Sequence, residues 1–251
     1  MTHFVYPYIV PYEDGPDRLD LFYSLLSIKK YFKGPYDITI IGEIPDYVDR
    51  TEVKFIALPQ KSFADINVTI SIIEACKYYE RFILMNDDIM FLNNISIIDF
   101  EVLYYERTHI ADTEGNFSDY GITYSNILKD TYHIMKNDID EFYVFGVHIP
   151  NLINSKMYME LIHHYNILDL ASEGKSIINI ELYKNVYKKF LNQYFEMKYP
   201  NEYRVGFWDY NDPENEEILK SGNYNYKVLN TSDEGYQRHP FLIEFLKETF
   251  T

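Results

Sequence analysis

The chain has 251 residues, enough for one domain with a substantial core and too few for a long solenoid or a multi-module architecture. Its 39 acidic and 23 basic residues leave a formal charge of −16, a field that repels phosphate backbones and anionic lipid and attracts divalent cations. A single cysteine, Cys76, excludes an intramolecular disulfide framework and any cysteine-built zinc site; its helical setting reads as buried filler.

The first residues, MTHFVYPYIVPY, lack the basic and long apolar regions of a signal peptide. No apolar run reaches the ~18 residues that a membrane span needs. These features lead us to expect a soluble, reduced, cytoplasmic protein. Aromatic residues are abundant, with 26 Tyr and 17 Phe, which AT-rich coding explains more simply than an aromatic binding platform.

Strand and helix signals alternate along the first half. Phe4 to Val10 is rich in β-formers, with Pro7 suited to an edge or strand end. Asp14-Gly15-Pro16-Asp17 breaks the chain. Leu19, Phe22, Leu25, Leu26, Ile28 and Phe32 then recur at helical spacing, with Asp17 as N-cap and Gly34-Pro35 as stop. Asp37 to Gly42 and Val53 to Leu58 are short continuous apolar runs, the pattern of strands buried on both faces in a parallel sheet. Helical periodicity returns between Asp65 and Tyr79, and another apolar run, Arg81 to Met85, follows. This β-α-β-β-α-β order predicts an α/β fold, with a mostly parallel central sheet flanked by helices. Glu106 to Tyr124 reads as a loop-rich stretch. Phe142 to Val147 predicts a strand, and Ser155 to Asn166 and Ser176 to Phe195 predict helices. Gly206 to Asn223 reads as irregular. Tyr226 to Leu229 predicts a last strand and Pro240 to Phe250 a closing helix, giving a helical C-terminal part. No repeat or linker interrupts the chain, so residues 1–251 are expected to form one domain.

The most informative stretch is Arg81-Phe-Ile-Leu-Met-Asn-Asp-Asp-Ile-Met-Phe-Leu92. Two carboxylates inside an apolar run are costly unless a cation or hydrogen bonds offset them. A turn at Asn86, Asp87 and Asp88 would aim one or both into the cleft at the carboxyl end of the sheet, where open α/β sheets bind ligands. Such hard oxygen ligands suit Mg²⁺ or Mn²⁺ shared with substrate phosphates. The alternative is an ordinary Asn-Asp turn joining two hairpin strands.

A strand ending in a short acidic motif after an alternating β/α start resembles the DxD motif of GT-A nucleotide-sugar transferases. By that resemblance Asn86, Asp87 and Asp88 occupy the three motif positions, with Asn86 a departure at the first, so that Asp88 is the firmer metal ligand. Four further pieces are similar, in order, to the Stealth family of capsular-polysaccharide sugar-phosphate transferases: Arg18-Leu-Asp-Leu-Phe-Tyr-Ser-Leu-Leu-Ser-Ile-Lys29, the strand ending in Asn86-Asp87-Asp88, His148-Ile-Pro150, and Val228-Leu-Asn230 followed by Phe241 to Phe250. The family's opening segment is not recognisable, and Thr231 stands where its second N-D residue would be.

The resemblance implies a single GT-A-like domain, with residues 1–105 as the nucleotide-sugar-binding α/β half and 106–251 as the acceptor-side half. It implies a metal-dependent glycosyltransferase that moves a sugar from a nucleotide sugar, UDP-linked by preference, to a glycan or other hydroxyl acceptor. Mn²⁺ or Mg²⁺ would be held by Asp88 and Asp87, with His239 completing the shell. Tyr8, Arg18, Asp20, Asn86 and Asp87 are the candidates for seating the donor; Arg18 and Asp20 read equally as a helix-end surface pair. His148, at a strand end, is a candidate acid/base group or a structural histidine. Glu181 and Asp209 are the candidate bases for the acceptor hydroxyl, although Lys184 and Lys188 on neighbouring turns make Glu181 equally a solvated helix position. Trp208 beside Asp209 reads as a stacking platform or a core plug.

Three other readings stay open: a Stealth-type sugar-1-phosphate transferase, a glycosyltransferase for hydroxymethyl-pyrimidines in DNA, and a non-catalytic binding protein on the same fold. The net charge weighs against nucleic acid as a partner. P-loop, dinucleotide-fold and nucleophile-elbow glycine motifs are absent. His163 and His164, adjacent on a helix, point apart and read as solvated.

Overall fold

The computed structural model describes residues 1–10, 20–59, 64–104, 107–110, 122–145, 148–173, 175, 177–191, 203–207, 213–222 and 225–251. The chain folds as a mixed α/β protein. Strands β1 (Thr2–Tyr8), β2 (Tyr36–Gly42), β3 (Lys54–Ala57) and β4 (Arg81–Leu84) are parallel, and β8 (Asn151–Asn154) adds antiparallel to β4, in the order β3-β2-β1-β4-β8. Helices α1 (Asp20–Tyr31) and α2 (Ala64–Ala75) connect these strands. The order runs outward from β1 through β2 to β3 and then returns to place β4 on the other side of β1. The reversal point lies between β1 and β4, and open α/β sheets bind ligands outside the carboxyl ends at such a point.

β1 is central because both of its faces are covered. Phe4, Val5 and Tyr6 are fully buried, and side chains alternate between two layers. Val5 packs with Ile72, Phe82 and Leu84 under α2, whereas Phe4 and Tyr6 pack with Leu21, Ile28, Ile83 and Met85 on the α1 side. β3, in contrast, leaves Lys54, Phe55 and Ala57 exposed. An edge strand has one neighbour, so the apolar run that predicts burial on both faces does not deliver it there.

Strands β5 (Ile89–Phe91), β10 (Val228–Thr231) and β9 (Arg204–Phe207) form a second sheet, with β10 antiparallel to β5 and parallel to β9. α1 is fastened to β5 by two buried serines: Ser24 Oγ donates to Ile89 O, and Ser27 Oγ accepts from Phe91 N at 2.9 Å. A two-stranded sheet pairs β6 (Arg107–Ile110) with β7 (Glu141–Val144). The first of these strands, and helix α3 (Ile122–Met135), fall in or border the stretch expected to be loop; residues 111–121 lie outside the described residues.

The C-terminal part is helical, as expected. α4 (Ser155–His164), α5 (Ile167–Ser172) and α6 (Asn179–Leu191) cover the far face of the main sheet. α7 (Pro213–Ser221), α8 (Asp233–Arg238) and α9 (Phe241–Phe250) enclose β9 and β10. α7 corrects the irregular reading of 206–223. Of its described side chains only Leu219 is fully buried, so it carries too few inward residues to show a period. Among the described residues no helix is long and apolar enough to cross a membrane.

Candidate functional site

β4 ends at the reversal point, and Asn86, Asp87 and Asp88 turn the chain there, with Ile89 N donating to Asn86 O at 3.4 Å. The two flanking strands are not a hairpin: β4 pairs with β1 and β8, and β5 pairs with β10 in the other sheet. The turn is therefore the passage from one sheet to the next, and the simple hairpin-turn alternative falls away. β10 grips it from behind, where Asp88 O accepts from Thr231 N at 3.2 Å and from Asn230 Nδ2 at 3.1 Å.

That grip leaves two oxygens without proton donors. Asp88 Oδ1 is buried with no hydrogen-bond partner, although 24% of the side chain is accessible. Asn230 is wholly buried, and its Oδ1 is likewise unpartnered while its Nδ2 holds the turn. Each such buried acceptor costs about 1–3 kcal/mol. Both can only accept, so a cation satisfies them where another carbonyl would not. Asn230 carries no metal-binding signature in sequence, and its place behind Asp88 arises only from the pairing of β10 with β5.

Asp87 continues the alternation of Ile83 and Met85 toward the α1 side. Its carboxyl is pushed up to about 7, first by burial and then by the charges of Asp88 and Asp20, against backbone N–H groups of the turn that oppose the shift. The same proximity helps raise the Tyr6 phenol, whose main cause is its own burial. The folded state thus keeps, up to about pH 7, a proton that the unfolded chain loses near its ordinary value of 3.8. In metal-free protein this makes stability fall as pH rises between those two values. Asp87→Asn should flatten that fall, and above pH 7 it should exceed the wild type by up to about 4 kcal/mol. Urea melts from pH 4 to pH 8 in EDTA measure both, and parallel pH profiles for the two proteins would disprove the assignment.

Asp20 opens α1. Its Oδ1 accepts the Tyr236 hydroxyl proton and lies 3.3 Å from Thr231 Oγ1, which is itself 3.0 Å from the Tyr236 oxygen. Burial, with the Asp20 charge behind it, raises the Tyr236 phenol, so it stays a donor. Asp20 is thereby anchored to β10 and α8 and adds negative charge behind Asp87. Tyr8 ends β1, nearly buried, with its hydroxyl 3.5 Å from that of Tyr47 and its carbonyl accepting from Glu43 N at 2.9 Å. Tyr47 and Phe22 line a cavity of about 390 Å³ between α1 and the segment after β2.

His148 approaches the turn from the other side, with Nδ1 3.7 Å from Asp88 Oδ2 and 40% of its side chain accessible. Its φ is +38°, a left-handed conformation that costs a non-glycine residue about 1–3 kcal/mol and concentrates at functional sites. Asn151 Nδ2 donates to Ile149 O at 2.7 Å and fixes the backbone just beyond it.

Two of the expected site residues lie in the core. Glu181, expected at the acceptor side or in solvent, is wholly buried, and both its oxygens accept from Phe145 N, at 2.8 and 2.7 Å. A carboxylate committed to a backbone amide in the core is not placed to take a proton from an acceptor. His239 is also buried. It bonds through Nδ1 to Glu216 at 2.8 Å, with its ring against Phe207. Its Nε2 is buried without a hydrogen-bond partner, and among the described residues no three His, Cys, Asp or Glu side chains are grouped to hold a metal ion. The fit to a cation rests instead on the unpartnered oxygens of Asp88 and Asn230, with Asp87 beside them. Asn86 is exposed at the turn. Arg18, Trp208 and Asp209 lie outside the described residues. No protein-family model matches the chain, and no curated protein matches it.

Proposed function

We propose that the chain is a nucleotide-sugar-dependent transferase whose acidic turn holds Mg²⁺ or Mn²⁺ against the donor diphosphate. One observation carries the reading: Asp88 and Asn230, in contact through Asn230 Nδ2 and the Asp88 carbonyl, each have a buried acceptor-only oxygen without a partner, at the reversal point of a doubly wound sheet. When bound, the cation neutralises charge developing on the leaving phosphate and acts as a template. Asp88 and Asn230 would hold it through their unpartnered oxygens, with Asp87 beside them. Asp20, Thr231 and Tyr236 hold the helix start against β10 behind the site. His148, exposed beside Asp88, is the group that takes the proton from the acceptor hydroxyl. A glycan is the acceptor class in this reading.

The placement of His148 supports a second reading, transfer of sugar 1-phosphate. With Glu181 in the core, the acid/base candidate that stands beside the acidic turn is an imidazole. The products separate the two: sugar transfer releases a nucleoside diphosphate, and sugar-phosphate transfer releases a monophosphate.

Thermal melts with UDP, GDP, CDP, UMP and CMP, each with and without Mn²⁺, test the common core. One nucleotide should raise the midpoint only with the metal, by the equivalent of about 2.7 kcal/mol at a hundred times its dissociation constant. The absence of any metal-dependent shift with all five would defeat both readings.

A further inference from the structure

β7 has two edges. One pairs with β6, and the other faces α6, where side chains stand in for a neighbouring strand. Asn185 Oδ1 accepts from Tyr143 N and its Nδ2 donates to Tyr143 O, both at 2.8 Å. Glu181 then takes Phe145 N with both carboxylate oxygens. The match is geometric: four residues along a helix advance about 6.0 Å and two along a strand about 6.6 Å. Glu181 and Asn185 therefore meet alternate residues of the strand, and they meet the groups that face the helix.

Asn185 shows that a neutral amide suffices to close this edge at Tyr143. A charge buried at Glu181 is the costlier choice. It is offset by Lys184, itself buried on the next turn, with its ammonium 5.2 Å from the Phe145 ring centre. Burial lowers that ammonium to about 8 against the pull of Glu181. The molecule thus places a buried carboxylate, with a buried ammonium within its field, on the amide of Phe145, three residues ahead of His148. On the far side of His148, Ile149 is buried and its carbonyl is held by Asn151. His148, in its left-handed conformation, lies between these two held residues in the sequence.

We infer that Glu181 is a positioning residue: by clamping the Phe145 amide it fixes the end of β7 so that the His148 imidazole is held against Asp88. The inference rests on the transferase reading only for the chemical role given to His148, since the placement itself needs no ligand.

The test is the His148 ring ¹H–¹⁵N spectrum of the ligand-free protein, with Asp88→Asn marking the signals when the Asp88 charge is absent. Glu181→Ala should shift the His148 signals to the Asp88→Asn position. Adding Asp88→Asn to it should move them no further. Glu181→Gln, which keeps one acceptor for the amide, should shift them part of the way in the same direction. Asn185→Ala loosens the same strand edge at Tyr143 and should lower the melting temperature while leaving the His148 signals in place.

Wild-type His148 signals in folded Glu181→Ala would overturn the inference, as would an equal displacement in Asn185→Ala. Where Glu181→Ala does not fold, the comparison of Glu181→Gln with Asn185→Ala decides by the same criterion. A chain that binds no nucleotide would defeat the transferase reading and leave this result standing.

Discussion

Asp88→Ala is expected to abolish the Mn²⁺-dependent stabilisation by nucleotide while leaving the metal-free protein no less stable than the wild type. The two halves of that result come from one atom. Asp88 Oδ1 is buried without a donor, so in the absence of a cation it contributes an unmet desolvation cost, and its removal relieves that cost. In the presence of a cation the same oxygen becomes a ligand. Its loss should remove several kcal/mol of transition-state stabilisation, on the order of a thousandfold in transfer rate. Asn230→Ala should show a smaller version of the same split, tempered because its Nδ2 also holds the Asp88 carbonyl. Calorimetric melts with and without Mn²⁺ and nucleotide check the stability half, and product formation checks the other. A variant that melts lower without ligand yet keeps its metal response would mean that Asp88 is a structural residue.

The second large effect falls at Gly235. Exchanging glycine for alanine inside a helix ordinarily stabilises by about 1 kcal/mol. Here the sign should reverse, because a Cβ at Gly235 would stand 2.4 Å from Phe207 O and 2.8 Å from its carbonyl carbon. Both are backbone atoms of β9, a strand fixed by its pairing with β10, so neither side yields cheaply. Overpacking of this kind costs about 3 kcal/mol at the upper end of its usual range, and for a chain of this size that lowers the melting temperature by about 6–12 °C. Gly235 N also donates to Ser232 Oγ at the start of α8, and the neighbouring Tyr236 reaches Asp20. A displaced α8 therefore disturbs the back of the site as well as the core. A thermal melt of Gly235→Ala that matched or exceeded the wild type would show that α8 does not press on β9.

The elements most legible in the sequence were those with recurring or continuous apolar residues. α1 is legible because apolar residues recur along it, but its buried residues are Leu21, Tyr23, Ser24, Ser27 and Ile28, the apolar ones divided between two clusters. Phe22, Leu25 and Leu26 of the expected stripe are only half-buried. β1, β2 and β4 show apolar runs because both of their faces are covered. β3 carries the same kind of run at an edge, where composition does not record which strand is last. α7 was hidden by having only Leu219 fully buried among its described side chains, set among charged residues. At the site, Asp87 and Asp88 stood out because acids inside an apolar run need an explanation. Asn230 and Thr231 were marked only as part of a family resemblance and Tyr236 not at all, because their part at the turn is created by strand pairing across about 140 residues. Glu181 was misread for a related reason. With Lys184 one turn on, its spacing is that of a surface ion pair, and only the position of β7 turns that face inward.

The passage at Asn86–Asp88 belongs to the first half of the chain, yet what completes it comes from residues 228–236. During synthesis the acidic turn leaves the ribosome long before its partners do. Until β10 arrives, the Asp88 carbonyl has neither the Thr231 amide nor the Asn230 side chain, and the β5 edge that β10 will cover stays open. Nascent chains fold their early segments first, so the main sheet can form while the acidic turn is still unfinished. The site is closed last, and a polypeptide released before Val228 would carry both carboxylates without the strand that sets them in place.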